Sequence, residues 1–198
     1  MVETKRMIAR ARTLFAPAWL RAGVIAVALI TILVAVGIRV SAPTDTSSQT
    51  LTGKPAPDFT LPVATAPTAP TAGPPSVSLA AQRGHPVLLV FFFTLCTHCQ
   101  PQLRTVHTAA APYAEHGLTT FAINSPAESY DVLASYSSRL GVEPVILRDT
   151  HAAAMNAYGV RLYPTTVLID GQGVIRAVWS GETDAATLDH ALDAVGGS

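Results

Sequence analysis

The sequence predicts an α/β fold: a mixed central sheet with helices on both faces and an N-terminal β extension, preceded by a single membrane-spanning helix. Three observations lead there. An uncharged apolar run fills residues 22–38 behind a basic head. From residue 86 onward, apolar runs rich in Val, Ile and Phe alternate with helical patterns in the order βαβαβαββα. The last two of those runs are split by Asp170-Gly171-Gln172-Gly173, a hairpin signal, so the sheet cannot be wholly parallel.

The 198 residues carry 13 basic and 13 acidic side chains, a formal net charge of zero that conceals a division. Residues 1–39 are net +5 and the remainder net −5. A basic head on an acidic body excludes a nucleic-acid-binding domain, whose positive charge belongs on its folded part. The 17 residues from 22 to 38 reach about 25 Å as a helix, the short end of a bilayer span. Trp19 sits at one interface, and Val40 extends the other end. Residues 22–40 are therefore read as an anchor in the cytoplasmic membrane, and the basic residues 1–21 as its cytoplasmic side. Everything after residue 40 then lies outside the cytoplasm. A cleaved signal peptide is the competing reading: Val40-Ser41-Ala42 has the small residues that cleavage needs. Against it, Pro43 follows at once and the basic region is long.

Residues 41–52 are small and polar and read as a flexible linker, leaving 53–198 as one folded domain. Asp58–Leu61 and Val77–Leu79 read as short strands, with the Pro-rich stretch 64–76 as the loop between them. Residues 86–93, PVLLVFFF, are continuously apolar, as a strand buried on both faces requires. A helix follows over about 97–115, then a strand over 118–124. Ser125-Pro126-Ala127-Glu128 combines a cap residue, Pro at the first helical position and an early acid, which predicts a helix starting there and ending at Gly141. A strand at 145–147, a short helix at 151–158, strands at 165–169 and 174–179, and an amphipathic helix at 184–195 complete the order. Trp179 is expected to pack in the core, and Asp170 to shape the hairpin.

The chemistry is concentrated in Cys96-Thr97-His98-Cys99, which holds both cysteines of the chain. Residues three apart in a helical turn come close enough to close a small disulfide ring. A helix N-terminus supplies free N–H groups and partial positive charge, which favour the thiolate of Cys96. Cys96 is thus the candidate nucleophile and Cys99 the resolving thiol, forming the redox disulfide Cys96–Cys99. Thr97 and His98 lie between them and are the candidates for tuning the thiolate. An imidazole beside a thiolate stabilises the reduced form and makes the pair more oxidising. A zinc site would need two further ligands, so no metal is assigned, and the chemistry requires no cofactor.

Around these residues the chain resembles a family. Gly53-Lys54-Pro55-Ala56-Pro57-Asp58-Phe59-Thr60-Leu61, the segment Arg83–Phe92 leading into CxxC, and Tyr158-Gly159-Val160-Arg161-Leu162-Tyr163-Pro164-Thr165-Thr166 are similar to the membrane-anchored thioredoxin-like proteins of TlpA/ResA type. The resemblance covers roughly residues 53–195. It implies a thioredoxin fold, protein thiol–disulfide oxidoreductase activity, and a cis peptide bond before Pro164. Tyr163 and Pro164 would then face the disulfide and present main-chain groups to an extended substrate.

Three positions depart from the family pattern. Leu95 replaces the tryptophan common before the first cysteine, and Gln102 stands where many members carry an acid. Val90 stands where thioredoxin has a buried one. With no carboxylate to take the resolving thiol's proton, His98 or water is expected to do so. The expected partners are exported proteins with disulfides or thiols and a separate membrane redox protein, because one dithiol pair cannot draw electrons across a bilayer. The family resemblance favours reduction, for example of cytochrome c haem-site cysteines, whereas His98 favours oxidation. Other readings are a Cu(I) metallochaperone, since thiolates suit that ion, and a peroxiredoxin-like peroxidase. The latter would want Thr at 93, where Phe93 stands.

Overall fold

A computed structural model describes residues 51–64 and 74–196. The anchor at 22–40, the linker as far as residue 50 and most of the Pro-rich stretch lie outside these residues. Among the described residues, no helix is long and apolar enough to cross a membrane.

The described residues form seven strands and four α-helices in order: β1 Thr60–Pro62, β2 Ser76–Ser78, β3 Val87–Phe92, α1 Cys99–Ala110, β4 Thr119–Asn124, α2 Tyr130–Leu140, β5 Val145–Arg148, α3 Ala153–Ala157, β6 Thr165–Ile169, β7 Ile175–Ser180 and α4 Ala185–Gly196. β1 and β2 form a two-stranded antiparallel extension. The main sheet runs β5-β4-β3-β6-β7, with β3, β4 and β5 parallel and β6 and β7 antiparallel to their neighbours. This is the mixed five-stranded sheet of a thioredoxin-like fold.

All six residues of β3 are buried, which explains the unbroken apolar run. Alternate residues serve opposite layers. Leu88, Val90 and Phe92 meet Leu103 and Val106 of α1, Leu133 and Leu140 of α2, and Leu188 and Leu192 of α4. Val87, Leu89 and Phe91 face the other side, where the β extension contributes Phe59 and Leu61, and Ala154 and Tyr158 complete the cover. Leu51 already packs on this second layer, and the Gly53 N–H bonds the Ile175 carbonyl at 2.8 Å. Trp179 packs, half-buried, against the first layer.

Two helices differ from the sequence expectation. The long helix begins at Cys99 rather than 97 and gives way at Ala111–His116 to a 3₁₀ segment. Pro112 lacks the N–H that would continue the α ladder there. The next helix starts at Tyr130, with the Ser129 hydroxyl accepting the Val132 N–H at 3.3 Å, and not at Ser125. Ser125 is buried and donates its hydroxyl to Asp149 at 3.0 Å, so a tertiary partner takes the local cap, and the Ser125–Pro126 bond is cis. Gly141 ends this helix in the left-handed conformation, as the sequence indicated.

Asp170 does shape the β6–β7 hairpin. Its carboxylate accepts the Val174 N–H at 2.8 Å and the Arg176 guanidinium, while its own N–H bonds the Val174 carbonyl. Burial works against the charged carboxylate, but these bonds outweigh it and hold the pKa below the usual value. A lowered folded-state pKa adds stability above the unfolded value of about 4, which is lost as pH falls through the folded pKa. Asp170→Asn should therefore cost about 1–2 kcal/mol at pH 7. In urea unfolding the gap between variant and parent should narrow as pH drops below about 4. A gap that stays constant down to pH 3 would contradict this role.

Candidate active site

β3 delivers the chain to a tight turn at residues 93–96, in which the Cys96 N–H bonds the Phe93 carbonyl at 3.2 Å. The Cys99 N–H in turn bonds the Cys96 carbonyl at 3.2 Å, and α1 starts at Cys99 with His98 as its cap residue. Cys96 thus lies just ahead of the helix N-terminus, and Cys99 occupies its first position. The two form a disulfide with Cα atoms 5.3 Å apart. Cys99 is fully buried in the first core layer, whereas Cys96 is only partly buried at its edge. Only one sulfur is thus open to a large substrate. Thr97 and His98 are exposed, as is Leu95 beside them.

The Tyr163–Pro164 bond is cis, and Tyr163 packs on the same core layer as Cys96. The Tyr163 ring meets Phe93 edge-on at 5.2 Å, and its hydroxyl donates to the Met155 sulfur at 2.8 Å. Burial, with Asp149 adding to it, raises the pKa of that hydroxyl. Leu162, just before it, is exposed. Leu95 and Leu162, on the two segments that build the site, therefore offer apolar surface to a partner.

Three successive residues after β7 tie these segments together. The Gly181 N–H bonds the Pro164 carbonyl at 2.7 Å. The Glu182 carboxylate meets His98 Nδ1 at 2.9 Å, and the Thr183 N–H bonds Gln102 Oε1 at 2.7 Å. His98, the cap residue of α1, and Gln102 on its first turn stand four residues apart, so the 181–183 segment grips the start of that helix while holding the Pro164 loop. Gln102, where many family members carry an acid, is buried, and its amide nitrogen has no hydrogen-bond partner among the described residues.

Several of these residues escaped the sequence reading. Glu182 carries no local signal, because its partner is 84 positions away. Glu128, an early-helix acid by its place in the sequence, instead bonds Thr94, which precedes Cys96 by two residues. Arg104 donates to the Leu140 carbonyl at 2.7 Å and, together with Gln100, to the Arg139 carbonyl, satisfying the free end of α2.

Comparison with known proteins agrees with this geometry. ResA, a thiol–disulfide oxidoreductase of Geobacillus thermodenitrificans, is 27% identical over 117 residues, covering 59% of this chain and 67% of its own. The thioredoxin-like protein YneN of Bacillus subtilis is 29% identical over 144 residues, covering 71% and 78%. A crystal structure of a DsbE-type thiol:disulfide interchange protein from Chlorobium tepidum superposes with a TM-score of 0.63 at 26% identity, covering 73% of this chain and 97% of that one. The family model described as Redoxin matches residues 51–194, nearly the whole of the described fold. The chain belongs to the Redoxin family and is a thiol–disulfide oxidoreductase, with Cys96–Cys99 as its CxxC pair.

Proposed function

We propose that the protein is a membrane-tethered, extracytoplasmic oxidoreductase that exchanges disulfides with exported proteins, working chiefly as a reductase. The observation that carries this reading is the asymmetry of the pair: a partly exposed Cys96 in front of a helix N-terminus, backed by a fully buried Cys99. In the reducing direction, the Cys96 thiolate attacks a substrate disulfide, forms a mixed disulfide and releases one substrate thiolate. Cys99, losing its proton, then attacks the Cys96 sulfur, and the second substrate thiolate leaves as the internal disulfide closes. Two electrons pass to the substrate, and a separate membrane redox partner must restore the dithiol. Tyr163 and Pro164 are the proposed docking edge, where an extended substrate segment would align beside the disulfide. The anchor at 22–40 and the positive-inside bias support the location, and the resemblance of the chain to the TlpA/ResA type supports reduction.

Disulfide formation is the second reading, and His98 favours it, because an imidazole between the two cysteines in the chain supports the thiolate. Its pairing with Glu182 moderates that influence. Reduction potential separates the two readings. A value near thioredoxin's, about −270 mV, supports a reductase, and one near about −120 mV an oxidase.

His98→Ala should move the pH profile of Cys96 alkylation upward and lower the potential by about 10–20 mV. That is less than the ~30 mV of a tenfold change, because the side chain is largely in solvent. An unchanged profile and potential would remove His98 from the tuning of the site.

A further inference from the structure

Glu128 is an acid hydrogen-bonded to the turn that carries Cys96, and the exchange chemistry above gives it no part. The β3–β4 ladder ends at the pair Phe92 and Asn124, so Thr94 has no strand partner for its N–H. Glu128 supplies one: Oε2 accepts the Thr94 N–H at 2.9 Å, and Oε1 accepts the Thr94 hydroxyl. Asn124 closes the arrangement from both sides, donating Nδ2 to Glu128 Oε2 at 2.7 Å and accepting the Glu128 N–H at 2.6 Å. Arg148 holds the Glu128 carbonyl at 2.8 Å from β5. The carboxylate therefore grips the middle of the 93–96 turn.

Its charge is not neutralised there. Arg148 engages the Glu128 carbonyl and the Tyr130 ring, and His98 is paired with Glu182. Among the described residues, no cation stands within ion-pair distance of the Glu128 carboxylate. Its field is felt in the core, where burial and then Glu128 push the Tyr136 hydroxyl up to about 12.

We propose that Glu128 is a positioning residue of the exchange reaction: its carboxylate clamps the turn that presents Cys96 and sets a negative charge on that turn, two residues before the sulfur. That charge holds back the thiolate, so the dithiol gives up its electrons more readily. The proposal rests on thiol–disulfide exchange at Cys96 and adds a reason for the reducing direction.

Glu128→Gln keeps the clamp and removes the charge. Its amide oxygen can accept from the Thr94 N–H and from Asn124, and its nitrogen can donate to the Thr94 hydroxyl. In glutathione buffers the ratio of dithiol to disulfide should rise about threefold, which is roughly 14 mV at 29.6 mV per tenfold. The pH profile of Cys96 alkylation should move to lower pH. Thr94→Val, which loses only the hydroxyl contact and keeps the charge, should retain the parent's potential. A Glu128→Gln protein with the parent's profile and ratio overturns the proposal, as does a Thr94→Val protein that shifts equally far. A parent protein that never equilibrates with glutathione removes the exchange reading itself, a different failure from either.

Discussion

Cys99→Ser, incubated in its reduced form with a disulfide-bonded protein, should accumulate a covalent adduct through Cys96. Cys96→Ser should form none and lose exchange activity altogether. Attack requires an accessible thiolate, and only Cys96 reaches the surface. Once the mixed disulfide forms, its resolution requires a second thiol aimed at the Cys96 sulfur, and Cys99 stands bonded to that atom in the disulfide state. Removing the resolving thiol leaves the first step intact and blocks the second, so the intermediate persists. Mass spectrometry under non-reducing conditions reads the adduct directly. Adduct formation by Cys96→Ser through Cys99 would reverse the assigned roles.

Asp149→Ala should destabilise the domain by about 3 kcal/mol in urea unfolding, because one buried carboxylate satisfies three donors. These are the Ser125 hydroxyl at 3.0 Å, the Ala154 N–H at 3.3 Å and the Met155 N–H at 2.9 Å. The same substitution loosens Met155, whose sulfur holds the Tyr163 hydroxyl, so the loss should reach the proposed docking edge as well. Asp149→Asn retains an oxygen acceptor and should cost less than half as much. A loss below about 1 kcal/mol for Asp149→Ala would show that water replaces the carboxylate.

The redox pair and the sheet were legible in the sequence because their signals are local or periodic. The continuous apolar run at 86–93 is what a doubly buried strand requires, and two cysteines three apart at a strand end have few uses. The long-range polar contacts were not legible. Glu182 and Thr183 reach His98 and Gln102 across more than 80 positions, and no spacing rule connects them. The segment after β4 misled for a related reason. Ser125, Pro126 and Glu128 carry correct helix-start chemistry, but Asp149 and Thr94 compete for Ser125 and Glu128 and win, because both partners are largely withdrawn from water. Residues 1–50, where charge and hydropathy predict the anchor, lie outside the described fold, so topology rests on the sequence.

Catalysed reduction of a protein disulfide tests the central claim most directly. With dithiothreitol as electron donor and insulin as substrate, the parent protein should accelerate disulfide reduction at least about tenfold over Cys96→Ser at equal concentration. A parent rate equal to that of Cys96→Ser would make Cys96–Cys99 a structural crosslink and contradict the account.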